Sequence, residues 1–497
     1  MRNTLLPVIT LSILVTAGCV DRADNQLPTR DFSHLSPCEL PDRAELSRIY
    51  AEALCGFITV PENPAHPDGR QIDLNIMVIP AGDPVAAPDP VFFLAGGPGQ
   101  AATEAGPALF ARLPDLRRRH DVVLVDQRGT GGSNAMPCEL GQSTFVTTGL
   151  ETLARLQRDT LKHCLAGYDA DPTQYNTNIA MDDLDLVRQQ LGYGQINLYG
   201  ISYGTRAALV YLRTHGDHVR SVILDSVVPM NMLIPANVAV DAQRAFDQLL
   251  ADCNANADCS AAFPLLPEVY RGLLRQLEEN PANITLTHPR TGEPIATLVE
   301  ARLLGRIVRS LLYDRQLSAL LPLAIHQAAE GNFQPLLTMA MTFGGEEPAF
   351  SPGMMASVLC AEDLPRTAAP NETADFDNPI YRELKPLCDF WPARVVADNY
   401  FLPVVSDVPT LLFSGTLDPI TPPAYGIEAA ATLSISQHVI VPGVGHGASI
   451  HGCAPDLLTR FLESADPVDL DTSCVADLRR PPFFVSYAGT LPPGTTQ

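Results

Sequence analysis

Apolar residues fall into short continuous runs near both ends of the chain and into helical spacing between them. Gln71 to Ile79 alternates, placing Ile72, Leu74, Ile76 and Val78 on one face, which predicts a strand. The runs 91–94, 121–125, 195–199, 219–224, 410–413 and 438–441 are nearly all apolar, and the first two stop at Gly- and Asp-rich turns. Runs of that kind read as strands of a parallel sheet covered on both faces. Residues 180–192 carry Leu184, Val187 and Leu191 at three-to-four spacing, which predicts a helix. Between Val228 and Asp407 the strand-like runs vanish. Helical periodicity takes over at 242–250, 265–277, 299–312 and 317–329, with loop breaks expected at 280–297 and 344–353. The predicted architecture is α/β: a mostly parallel sheet with helices on both faces and a largely helical cap inserted before the last strands. The core would comprise 38–227 and 408–497, and the cap 228–407.

The N-terminus follows a different pattern. Arg2 precedes an apolar stretch from Leu5 to Val15, shorter than the ~20 residues a membrane span needs. A positive charge, a short apolar stretch and small residues describe a signal peptide, here 1–18. A buried N-terminal strand is the alternative. Thr16-Ala17-Gly18-Cys19 resembles a bacterial lipobox, which implies a lipidated Cys19 and makes the polar stretch 19–37 a tether. A leaderless secreted form is the rival reading. With Val20 and Asp21 next, the resemblance implies the periplasmic face of the outer membrane, and membrane contact only through the lipidated N-terminus.

Export changes how the eleven cysteines are read. Without Cys19 ten remain, an even number in a chain bound for an oxidising compartment. Zinc is disfavoured because no Cys-x₂₋₄-Cys pair occurs and Cys253 and Cys259 have no neighbouring His. Closeness along the chain leads us to expect Cys38–Cys55, Cys138–Cys164, Cys253–Cys259, Cys360–Cys388 and Cys453–Cys474, and no metal. The net charge of −23 opposes polyanions, so nucleic acid is not expected as a partner.

The most informative line is Gly200-Ile201-Ser202-Tyr203-Gly204, which follows a strand and opens a helix containing Ala207, Ala208, Leu209 and Leu212. A sharp strand-to-helix turn needs small neighbours and exposes the serine Oγ. The Tyr203 N–H at the helix N-terminus would then face charge forming on a carbonyl oxygen. Serine is a poor nucleophile unaided and needs a base with an orienting carboxylate. His446, on a Gly-rich loop beyond the last strand, is the expected base, and Asp418, ending the strand before it, the expected orienter. His451 is a rival base, Asp225 a rival orienter, and His438 lies within a strand. Gly96-Gly97-Pro98-Gly99 follows the strand 91–94 and can bring a backbone N–H close to the substrate carbonyl. Gly97 is the first choice for that second donor and Gly96 the next. A phosphate loop would need a following Gly-Lys-Ser/Thr, which is absent, and no cofactor is expected.

These motifs, with Asp126-Gln-Arg-Gly-Thr-Gly-Gly-Ser133 and Gly415-Thr-Leu-Asp418-Pro-Ile-Thr-Pro, resemble the proline-iminopeptidase-like branch of the α/β-hydrolases. Within it the chain is most similar to the larger exported tripeptidyl-aminopeptidase-like serine peptidases (family S33) with their C-terminal region. The resemblance spans 91–450 and implies an α/β-hydrolase fold, with the family's Ser, Asp and His on Ser202, Asp418 and His446. Ala95 stands where proline iminopeptidases usually have His, which speaks against a strict single-proline preference. Asp126, Gln127 and Arg128 are expected as loop support, Arg128 tying two active-site loops near the oxyanion glycines. Family enzymes bind the substrate ammonium through acidic cap residues, for which Glu362 and Asp363 are the candidates here, steadied by Cys360–Cys388. Trp391, Phe390 and Tyr400 read either as a pocket wall or as core. The expected activity is a serine exopeptidase of aminopeptidase or tripeptidyl-peptidase type, releasing short N-terminal fragments from peptide substrates. A carboxylesterase or other acyl hydrolase on the same triad is the alternative, because the triad does not separate ester from amide.

Overall fold

The computed structural model describes residues 30–41, 44–140, 149–234, 236–343, 350–369, 375–376 and 379–490. The expected leader and Cys19 lie outside them. Eleven strands are found among the described residues: β1 Ser36–Pro37, β2 Leu54–Pro61, β3 Gln71–Ile79, β4 Val91–Leu94, β5 Val122–Val125, β6 Ile196–Ile201, β7 Val219–Asp225, β8 Ala282–Thr287, β9 Pro294–Val299, β10 Thr410–Gly415 and β11 Ser436–Val441. Nine form one sheet in the order β1-β2-β3-β5-β4-β6-β7-β10-β11. From β5 to β11 every pairing is parallel, whereas β3, β2 and β1 continue the sheet antiparallel. Parallel neighbours need crossovers. The helices Ala102–Ala111, Thr177–Gln190, Tyr203–His215 and Pro423–Ala430 supply them.

The apolar strands follow from this layering. Ile72, Leu74, Ile76 and Val78 of β3 pack with Leu184, Val187 and Leu209 on one face. Met77 and Ile79 point to the other face, with Phe93, Phe110 and Leu457. Within β4, Phe92 and Leu94 join the first cluster while Val91 and Phe93 join the second. Burying such a side chain contributes roughly 1.5–3 kcal/mol, so strands covered on both sides are built mainly from apolar residues.

A helical insertion precedes the last two strands of the sheet. The helices Val238–Ala255, Leu266–Glu279, Ala301–Leu311 and Leu321–Ala329 enclose Phe246, Tyr270, Leu273, Ile307 and Ile325. Three details differ from the sequence reading. The expected loop 280–297 holds the antiparallel hairpin β8–β9, whose Leu286 and Val299 turn into the insert core. The helix Leu150–Gly167, assigned to the sheet domain, packs Leu150 and Leu153 against the insert, and Tyr400 and Val404, assigned to the cap, pack against the sheet. The end of the expected tether is docked: Asp31 N–H donates to Leu191 O (3.1 Å), Arg30 pairs with Asp121 (3.2 Å) and β1 joins β2. All five expected disulfides are formed. No helix of the described residues is long and apolar enough to cross a membrane.

Candidate active site

Ser202 occupies the turn between β6 and the helix Tyr203–His215 at φ 58° and ψ −126°. A non-glycine residue there is strained by about 1–3 kcal/mol and is held in place by its surroundings. Its N–H donates to Asp225 O (2.9 Å). The flanking glycines are required by close approach, since a Cβ on Gly200 would lie 2.3 Å from Gly204 O and one on Gly204 2.0 Å from Leu94 O. The sheet register aligns Ile201 with Asp225, Asp225 with Phe413 and Gly415 with Val441. The loops that follow β6, β7, β10 and β11 therefore leave one edge of the sheet together.

On the loop after β10, Asp418 is fully buried. Its Oδ2 lies 2.9 Å from His446 Nδ1 and accepts from Thr421 Oγ1 (2.8 Å), while Oδ1 accepts from the N–H groups of Ile420 (2.9 Å) and Thr421 (2.8 Å). Burial pushes this carboxyl upward, but His446 and the three other donors outweigh it and hold the group at about 2. Asp225, the rival orienter, has another task. Its carboxylate accepts from Ala448 N–H (2.8 Å) and Ser449 N–H (2.9 Å), and the Ser226 hydroxyl accepts from Gly447 N–H (2.8 Å). The pair thus ties the His446 loop to the segment that also holds Ser202. Of the rival histidines, His438 is built into β11 with Nε2 2.9 Å from Ser414 Oγ, and burial lowers it to about 4. His451 sits one loop further on and is lowered by burial.

In the glycine loop, Gly96 N–H donates to Gln100 Oε1 (3.1 Å). Gly97, at φ 110°, has no partner for its N–H among the described residues, nor does the Tyr203 N–H. The two amides left unpaired are thus the first-choice pair, and Gly96 is otherwise occupied.

The loop 126–128 supports this edge, though not as expected. Asp126 accepts from Thr103 N–H (2.9 Å) and Oγ1 (2.9 Å), Asn75 Nδ2 (2.8 Å) and Gly132 N–H (3.0 Å), which fixes the helix after the glycine loop. Gln127 contributes its carbonyl to Thr130. Arg128 is fully buried and points away from the glycines, forking onto Asp183 (2.7 and 2.8 Å) and donating to the carbonyls of Glu62, Gln174 and Pro61. A buried guanidinium needs a full set of acceptors, which Asp183 and these three carbonyls supply.

The expected amine anchors are placed differently as well. Glu362 is fully buried, accepting from Thr177 N–H (2.7 Å), Thr177 Oγ1 (2.9 Å) and Tyr400 OH (2.5 Å). Asp363, equally buried, accepts with both oxygens from Arg206 Nη1 (2.8 and 3.0 Å) and accepts from Ile234 N–H (3.0 Å). Neither carboxylate faces an open surface, because buried charges must be paired. Trp391 is core, donating to Ser357 Oγ (2.9 Å) among Leu161, Leu359 and Leu387. Asp185, His215 and His218 are close enough to suggest a metal site. Asp185, however, already accepts from Arg188 (2.6 Å), Tyr211 (2.8 Å) and Gln189 (2.7 Å), leaving little for a cation.

Several contributors carried no usable signal in the sequence. Thr421 was legible in retrospect, as the residue three beyond an aspartate that caps it. Arg244, which donates to Thr416 O (3.2 Å) and Asp418 O, and Tyr313, whose carbonyl accepts from His446 N–H (3.0 Å), lie far away in the insert.

Residues 89–452 match the family model described as the alpha/beta hydrolase fold. The chain is 28% identical over 459 residues to the serine protease Hip1 of Mycobacterium tuberculosis, covering 84% of this chain and 86% of that protein. It is 32% identical over 193 residues to the tripeptidyl aminopeptidase of Streptomyces coelicolor, 35% of each chain. Over 138 residues it is 27% identical to the proline iminopeptidase of Neisseria gonorrhoeae, covering 28% of this chain and 32% of that one.

Proposed function

We propose, for a chain that belongs to the α/β-hydrolase fold family and is related to its Hip1-, tripeptidyl-aminopeptidase- and proline-iminopeptidase-like serine peptidases, that Ser202, His446 and Asp418 form the catalytic triad of a serine exopeptidase. The observation that carries this reading is the His446–Asp418 pair, tethered through Ser226 and Asp225 to the strained turn bearing Ser202. Asp418 holds Nδ1, and Nε2 takes the Ser202 proton as Oγ bonds to the carbonyl carbon. The oxyanion receives the N–H groups of Tyr203 and Gly97. Collapse breaks the C–N bond, His446 returns the proton to the leaving amine, and water with His446 as base frees the acyl group from Ser202. The products are short N-terminal fragments and a shortened peptide.

The names of the Streptomyces and Neisseria relatives support an exopeptidase. One observation favours the carboxylesterase reading: Glu362 and Asp363 are consumed internally, so the expected ammonium anchor is not offered. Turnover of free-amino peptide amides, their N-acetylated forms and short p-nitrophenyl esters separates the two. An exopeptidase cleaves the free-amino peptides at least ten-fold faster than the blocked ones, and Ser202→Ala abolishes all turnover. Ester turnover without peptide turnover establishes the esterase instead. Export and lipidation at Cys19, with the protein on the periplasmic face of the outer membrane, complete the proposal.

A further inference from the structure

Glu362 ends one helix of the insert, Pro352–Glu362, and Asp363 follows it; Asp363 grips Arg206 in the first turn of the helix Tyr203–His215, while Glu362 grips Thr177 at the start of the helix Thr177–Gln190. Asp363 holds Arg206, whose other contact is Met232 O. Arg206 and Asp363 balance each other in charge, which leaves Glu362 as a second, fully buried carboxyl. Burial pushes it upward and Arg206 opposes this, while Asp363 adds to it.

Its hydrogen bonds have a defined direction. Thr177 has one hydroxyl proton, donated to Glu362 Oε2 (2.9 Å). The contact between Thr177 Oγ1 and Tyr203 OH (2.7 Å) must then be donated by Tyr203. Burial keeps the hydroxyls of Tyr203 and Tyr400 protonated, so both remain donors. The chain runs from Tyr203 O–H to Thr177 O–H to the Glu362 carboxylate, with Tyr400 O–H and Thr177 N–H closing its remaining sites. Tyr203 is the residue whose backbone N–H faces the oxyanion, and its side chain is 1% exposed. No solvent competes for its hydroxyl.

We infer that Glu362 is a positioning residue which, through Thr177 and the Tyr203 hydroxyl, fixes the Tyr203 N–H for the oxyanion. This rests on Ser202 as nucleophile, and it replaces the role of substrate anchor with one that serves any acyl substrate. A misplaced donor can cost as much as a hundred-fold in rate, and a lost oxyanion donor 10²–10³. Glu362 matters as the acceptor that ends the chain: an amide nitrogen in the place of Oε2 would face Thr177 Oγ1 and Tyr400 OH with donors of its own.

The test uses the full-length enzyme with a p-nitrophenyl ester and a free-amino peptide, whichever is turned over. Tyr203→Phe and Thr177→Val each sever the chain at one point while keeping the packed shape. Each is expected to lower kcat about 10- to 100-fold with KM unchanged; Thr177→Val, which leaves the buried Tyr203 hydroxyl without its acceptor, also lowers the melting temperature, while Tyr203→Phe lowers it less. The double variant should lose no more than the worse single one, because both cut the same link. Thr177→Ser, which keeps the hydroxyl, should restore kcat to within about three-fold of wild type. Glu362→Gln should lower kcat equally for ester and peptide. Wild-type kcat in folded Tyr203→Phe and Thr177→Val would overturn the inference, as would fully additive losses. A Glu362→Gln defect confined to KM for free-amino peptides would overturn it in favour of direct substrate binding. A Ser202→Ala protein that keeps its activity would remove the nucleophile reading itself, independently of these variants.

Discussion

Two buried aspartates reach the loop that carries His446, and exchanging each for asparagine separates their roles. In Asp418→Asn, the single amide oxygen can keep the Ile420 and Thr421 N–H bonds now made by Oδ1. The amide nitrogen then occupies the place of Oδ2, facing Thr421 Oγ1 and His446 Nδ1. The threonine hydroxyl can rotate to accept, whereas His446 Nδ1 can accept only if its proton moves to Nε2. That tautomer cannot take a proton from Ser202. Loss of kcat on the order of 10⁴ is expected, as when the orienting carboxylate of another serine hydrolase is neutralised, which is about 5.5 kcal/mol. The charge also contributes to stability: held at about 2 against 3.8 unfolded, the carboxyl gives roughly 2–3 kcal/mol at neutral pH, lost as pH falls below 3.8. Asp225→Asn has a different profile. It keeps one acceptor oxygen where Asp225 has two, so either Ala448 N–H or Ser449 N–H loses its partner while the imidazole's own partner stays intact. A drop of about 1–3 kcal/mol in stability is expected with a smaller, 10- to 100-fold loss of kcat. Steady-state ester hydrolysis, read beside thermal melts of both variants, decides it. Asp418→Asn within ten-fold of wild type, or Asp225→Asn inactive at an unchanged melting temperature, would refute the assignment.

Two further expectations concern other parts of the chain. His438, half-buried beside Ser414 and lowered to about 4, takes up a proton in the unfolded state near 6.5 but not in the folded one, so its contribution is complete above pH 6.5 and lost towards pH 4. Denaturant melts across that window should show His438→Gln flattening the acid decline by no more than about 3 kcal/mol, and an unaltered slope would contradict this. Intact mass of the native protein extracted from membranes should show a lipid-modified Cys19 as first residue, whereas a soluble product with Cys19 absent or unmodified would count against the anchor.

The parts of the fold legible in the sequence are those where local chemistry and the tertiary setting agree. Strands buried on both faces are dominated by apolar residues, so β4, β5, β6, β7 and β10 stood out, and the elbow demanded glycine where its backbones nearly touch. The hairpin β8–β9 was hidden because only Leu286, Thr297 and Val299 of its strands are buried and its apolar residues do not form a continuous run. Glu362 was read as an ammonium anchor because family enzymes bind the amine through acidic cap residues, and pattern alone could not tell whether its partner was a substrate or Thr177. Arg128 was read as tying two active-site loops, whereas its side chain is held by Asp183, an ordinary-looking position on a helix.

The insert touches every element of the proposed machinery, and this sets the limit of reading the activity from motifs. Arg244 holds the carbonyls of Thr416 and Asp418, Tyr313 accepts from the backbone of His446, and Ser351 N–H donates to Gly99 O (2.9 Å). Phe350 pairs with Gln100, whose side chain engages Gly96, and Glu362 reaches Tyr203 through Thr177. The acid loop, base loop, glycine loop and nucleophile helix are thus each braced by a different piece of the insert. Such bracing needs residues scattered from Arg244 to Glu362, each unremarkable in its local sequence, to converge on loops that were plain to read. The insert is therefore part of what holds the donors and the imidazole in register before substrate arrives. A change of insert sequence would alter turnover through geometry even where it never meets the substrate.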